Sequence, residues 1–145
     1  MNNLTELYNN IKDFAESHNM VNEFFLARDD KDLRNREFNY RTIAMMPLEA
    51  NISRELNSPT YTLDFALILL DKVIYEDESN NVSVIEENLF IIGQLQDHLI
   101  QEGYDVEFDT VDVMSMKEGS YTVSSAMTDF TVVLARKPYI LGIDN

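Results

Sequence analysis

The sequence predicts an α+β fold with the element order α-β-β-α-β-β, in which two helices pack on one face of a mainly antiparallel sheet. Three observations predict it. Apolar residues recur at helical spacing over residues 4–18 and 85–99. Over residues 61–69 they alternate with a period of two, which in a strand places them all on one face. Two further strand-like runs, 104–116 and 121–135, flank a short turn containing glycine.

The first helix is read from Leu4, Leu7, Tyr8, Ile11, Phe14, Ala15 and His18, with Asn2, Asn3 or Thr5 available as its cap. Residues 21–27 (VNEFFLA) form a short extended piece, and the charged loop RDDKDLRNRE follows at 28–37. Residues 38–47 alternate well enough for a strand, which residues 50–53 extend past Pro47. A proline inside a strand implies an edge or a bulge. The strongest strand spans 60–74, with Tyr61, Leu63, Phe65, Leu67 and Leu69 on one face and Thr62, Asp64, Ala66 and Ile68 on the other. Residues 76–81 (EDESNN) read as an acidic turn. Ser83 then caps the second helix, with Glu86 as its capping-box partner. Its inward stripe is Ile85, Leu89, Ile92, Gln96 and Leu99, widened by Phe90, and Gly103 stands where a terminating glycine belongs. Residues 117–120 turn the last hairpin.

At 145 residues the chain makes one domain, 1–145, with a candidate docking tail at 136–145. Its 26 acidic and 11 basic residues leave a net charge of -15. That charge opposes binding to nucleic-acid phosphates or an anionic membrane surface, both of which need clustered Lys and Arg. The absence of cysteine removes disulfides, thiolate nucleophiles and the common zinc frameworks. No apolar run approaches the ~20 residues of a membrane helix.

No catalytic constellation emerges, and no cofactor or metal is expected. His18 and His98 lack a second ligand at a useful spacing and read as packed or solvated. Asp64 and Asp71, seven residues apart, point to opposite faces of an unbroken strand and read as solvated acids. The acidic turn lacks the calcium-loop spacing, and neither a phosphate-binding glycine loop nor a GxSxG nucleophile elbow occurs. Met45, Met46, Met114 and Met116 read as core filling. Two features point to assembly instead. The loop 28–37 holds Arg28, Lys31, Arg34 and Arg36 and exceeds the usual connection length. The tail carries Tyr139, Ile140, Leu141 and Ile143 after Pro138, an apolar strip that reads equally as a docking arm or as a tail tucked back on its own domain. Asp71, Glu76, Asp77 and Glu78 are candidate acidic partners of the basic loop.

Over residues 38–102 the layout resembles the tail-terminator or tail-completion proteins of tailed bacteriophages. The resemblance rests on a strand containing TIAMMPLEA, a strand closing in LLD, then EDESN, then the amphipathic helix VIEENLFIIGQLQDHL. The last two strands offer no residue that maps onto a family signature. The resemblance implies a non-enzymatic virion protein, made in the host cytoplasm, that forms a six- or twelve-fold ring at the neck or tail. Its partners would be portal or connector and tail proteins, with DNA passing through the lumen unbound. A ring joins unlike patches head to tail, which the basic loop, the acidic stretch and the tail could supply. The alternative reading from charge alone is a small acidic inhibitor or adaptor that binds a basic partner as a DNA mimic.

Overall fold

The computed structural model describes residues 2–34, 38–52, 60–73, 77–118 and 121–135. Its elements run α1 (Leu4–Ser17), β1 (Glu23–Leu26), α2 (Asp30–Arg34), β2 (Thr42–Ile52), β3 (Thr60–Val73), α3 (Glu78–Gln101), β4 (Asp105–Glu118) and β5 (Tyr121–Ala135). The five strands form one mixed sheet in the order β1-β2-β3-β5-β4. Only the β1–β2 pair is parallel; the other three pairings are antiparallel. An α+β fold with a mainly antiparallel sheet is therefore present. The expected order lacked β1 and α2, both inside the stretch read as an extended piece and a loop.

β3 occupies the middle of the sheet because residues 65–70 are apolar on both faces. Every residue of this run is buried, as a central strand requires. Its odd-numbered residues Leu63, Phe65, Leu67 and Leu69 join Ile43 and Met45 of β2, and Phe130, Val132 and Leu134 of β5, in the larger core. Leu7, Ile11 and Ala15 of α1 and Ile91, Ile92, Leu95 and Leu99 of α3 close that core from above. We call this the inner face. The even-numbered residues Ala66, Ile68 and Leu70 look the other way, into a smaller core with Ala44, Met46 and Val123. Ala27 and Phe38 complete this outer cluster, and Leu33 of α2 packs against it. The charged loop thus has a structural use: its one apolar residue, Leu33, and the residues that flank it, Ala27 and Phe38, cover part of the outer face.

Pro47 sits where β2 has run past its partner β1, whose pairing stops at Met45. The ladder to β3 shifts register between Pro47 and Glu49, so the proline marks a bulge at an unpaired edge.

α3 begins earlier than Ser83. Asp77 is the cap, its side chain accepting the Asn80 N–H at 3.0 Å, and Glu78 places a negative charge in the first turn. Part of the stretch read as an acidic turn is therefore helix. At the other end Gly103 has φ +86, and the N–H groups of Tyr104 and Gly103 donate to the carbonyls of Leu99 and Ile100. This is the double closure of a Schellman cap, and it needs the left-handed backbone that glycine adopts freely. The buried side of α3 is Val84, Asn88, Ile91, Ile92, Leu95 and Leu99. Leu89 and Phe90 are therefore not inward as expected; both are exposed.

The histidines tie α1 to α3. His18 Nδ1 accepts the Met20 N–H at 3.1 Å, which leaves its Nε2 to donate to Gln94 Oε1 at 2.7 Å. His98 Nε2 pairs with Asn10 Oδ1, and the Phe14 ring lies 5.5 Å from each imidazole.

Candidate functional site

Two polar constellations are built by the fold, one on each face of the sheet. The first is the half of the outer face that no described element covers. In the antiparallel registers Asp64 lies opposite both Glu49 and Thr131, Thr131 opposite Glu107, and Ala66 opposite Asp129. Register partners share a face, so these carboxylates gather on the side away from α1 and α3. With Asp109 they line an open concavity of about 460 Å³, together with Leu48, Phe108, Phe130 and Thr131. Thr131 Oγ1 donates to Asp64 Oδ1 at 2.6 Å. Thr128 Oγ1 donates to the Asp109 carbonyl at 3.0 Å and pins the bulge between Phe108 and Val111. Among the described residues no three acids or histidines converge closely enough to hold a metal ion. The arrangement is an extended negative surface rather than a chelate.

The second constellation lies under α3, with Arg41 buried at its centre and Glu87 at its open edge. The Arg41 side chain is 5 % exposed. Its Nη2 donates to Asp71 Oδ2 at 2.9 Å and also to Glu87, and its Nε donates to Asn88 Oδ1 at 2.9 Å. Burial pushes the Asp71 carboxyl above its ordinary range, and Glu87 adds to the push. The Arg41 charge and the Lys72 N–H pull the other way without offsetting it. Asn88 Nδ2 and Ser124 Oγ are buried without a partner, and Ser124 is the register partner of Asp71, so both border this ion pair. The network joins β2, β3 and α3 and reads as a structural clamp.

The expected site residues scatter across the molecule. Arg28 is exposed and bound back onto Asp32, through Nε at 2.9 Å and Nη2 at 3.1 Å. That hydrogen bond and charge raise the Arg28 pKa, so much of its charge is answered within its own loop. Lys31 is exposed on α2. Arg34 belongs to α2, with its side chain outside the described residues, as are Arg36, Glu76, Tyr139, Ile140 and Leu141. Asp77 and Glu78 open α3. Asp71 does not join them on the surface. The reading of it as a solvated acid is corrected, because its side chain is 21 % exposed and ion-paired under α3. Asp64 and Asp71 do face opposite sides of the sheet. Met45 and Met46 are buried, whereas Met114 is 53 % exposed and fills no core.

Sequence reasoning missed the acidic concavity because its members lie on four strands and meet only through register. It missed Arg41 for a related reason: nothing near Arg41 in the chain marks Asp71 or Asn88 as its partner. No protein-family model matches the chain, and no curated protein matches it in sequence.

Proposed function

We propose that the protein is a non-enzymatic structural subunit of a tailed bacteriophage particle. In this reading it forms a ring at the neck or tail that joins the head connector to the tail. The observation that supports it best is the acidic half of the outer face, where Glu49, Asp64, Glu107, Asp109 and Asp129 line one concavity. A ring with this face toward its lumen would present DNA with a wall of like charge. DNA would then slide past without losing counterions to the protein, the reverse of how a DNA-binding protein gains affinity. The net charge of -15 supports the same reading.

The resemblance of the sequence layout to tail-terminator proteins supports this position, and the dissimilar surfaces of the fold support a head-to-tail contact. Two measurements test the reading. Native mass across a concentration series, with negative-stain images at the highest concentration, should show a closed ring of six or twelve copies. Reversing the concavity with Glu107→Lys and Asp129→Lys should slow DNA ejection from assembled particles; unchanged ejection counts against the lumen assignment.

The same carboxylates favour one other reading, an acidic inhibitor that presents a DNA-like surface to a basic protein. Such a protein would stay monomeric and bind a polycationic partner tightly without self-assembly.

A further inference from the structure

Helix α3 is apolar on two sides. Its buried side packs on the sheet, but Val82, Leu89, Phe90 and Ile100 on the opposite side are 62 %, 40 %, 60 % and 57 % exposed. At about 100° per residue these four fall within a sector of roughly 100°, with Gly93 in its midst. A Cβ added at Gly93 would meet no atom within 4 Å. Its backbone does not need glycine either, since Gly103 is the glycine with positive φ among the described residues. Glycine weakens a helix interior relative to alanine. A glycine that serves neither packing nor backbone here leaves a shallow saddle in an apolar stripe, where another backbone can approach closely.

We propose that the apolar arm at residues 139–143 of a neighbouring copy lies along this stripe, so that each subunit is fastened to the next. The inference rests on the ring reading and names the contact that would close it. Three observations select this occupant. The arm has the matching chemistry: Tyr139, Ile140, Leu141 and Ile143 follow the basic pair Arg136 and Lys137, while the exposed acids Glu86 and Asp97 share the outer side of α3 with the stripe. Its length suits the C-terminal half of the stripe, because residues 139–143 extend about 17 Å and Phe90 to Ile100 runs about 15 Å.

The third observation is where the arm starts. Ala135 pairs with Thr60 in the sheet, and its N–H donates to the Asn2 carbonyl at 2.9 Å. Val133, two residues earlier, faces Asp105 just beyond the end of α3. To lie on its own stripe the arm must first climb past the helix layer, about 15 Å from the sheet to the outer side of α3. Phe90 lies about a further 15 Å back along the helix from Ile100. The combined path is about 21 Å, whereas Ile140, five residues past Ala135, extends at most about 18 Å. Ile140 therefore cannot lie on Phe90 of its own chain, a limit that does not apply to Phe90 of a neighbouring copy.

The lack of cysteine in the chain makes the test clean. In the full-length chain, Phe90→Cys and Ile140→Cys are introduced together and singly, oxidised under native conditions, and sized in denaturant with and without reductant. The expected result is a reducible ladder of linked copies from the double variant, and none from either single variant. Closure within one chain only, or dimers from Phe90→Cys alone, would overturn the proposal. Native mass of the unmodified chain separates the two readings: a ring without a ladder overturns the arm contact and spares the ring, and a monomer without a ladder overturns both. As a second variant, Ile140→Asp should raise the concentration for half-assembly at least tenfold while leaving the far-UV circular dichroism unchanged. Unchanged assembly would again overturn the arm.

Discussion

On the inner face of the sheet two long helices cover Leu63, Phe65, Leu67, Leu69, Phe130, Val132 and Leu134 from end to end. On the outer face, among the described residues, the stretch anchored by Ala27, Leu33 and Phe38 packs over Ala66, Ile68 and Leu70 and reaches no further. Where the roof stops, the side chains change character at once, from Ala66 to Asp64 on β3 and from Met127 to Asp129 on β5. The difference teaches that cover, rather than strand propensity, decides which residues this sheet carries. One set of strands serves a closed core above and a half-closed, half-charged surface below.

The comparison can be broken most directly in the two cores. Phe130→Ala, on the inner face, should cost about 3–5 kcal/mol in urea unfolding, because α1 and α3 cannot settle into the cavity it leaves. Ile68→Ala, under the shorter roof, should cost nearer 2 kcal/mol, because residues 27–38 can settle onto the vacated space. Equal losses would mean that the two covers are equally rigid.

Next in size is the clamp between the layers. Arg41→Met leaves the Asp71 carboxylate buried beside Glu87 and should destabilise by about 3 kcal/mol; the double variant Arg41→Met, Asp71→Leu should recover most of it. The pH dependence sharpens this. Because burial raises the Asp71 pKa in the folded chain, the folded state keeps a proton that the unfolded chain has already released. Stability from this group is thus greatest at low pH and declines as pH rises from about 4 through the folded value. Asp71→Asn should remove that part of the slope in a pH series of urea midpoints, whereas an unaltered slope would assign it to other acids.

The smallest effect belongs to the open acids. Glu107→Gln and Asp129→Asn should each stabilise by up to ~0.5 kcal/mol at low salt, through relief of like-charge repulsion. The gain should fade near 0.5 M salt, where the screening length is only about 4 Å.

What the sequence made legible follows from how far apart the interacting groups lie. α1, the two faces of β3 and the Gly103 cap are written in residues a few positions apart, and each is found where it is read. β1 is four residues long, and its reason for being a strand is a parallel partner, β2, sixteen or more residues away. α3 starts early because one aspartate caps a polar run that otherwise looks like a turn. Of its inward reading, Ile92 and Leu99 hold while Leu89 and Phe90 belong to the outward side, because both sides carry the same residue types and periodicity alone cannot choose between them. The concavity and the Arg41 clamp depend on strand order and register, which pair Glu49 with Asp64 and Asp71 with Ser124.

The position of β3 also dictates an order of events during synthesis. β3 is made directly after β2 and can pair with it at once, but its other neighbour, β5, emerges only after α3 and β4. At roughly 5–20 residues per second, the apolar run 65–70 waits several seconds with one edge unpaired. During that interval α1, already made, and α3, as it emerges, are available to lie over its inner face. The closing event is then the insertion of the β4–β5 hairpin beside β3, a long-range pairing of the kind that sets slow folding rates.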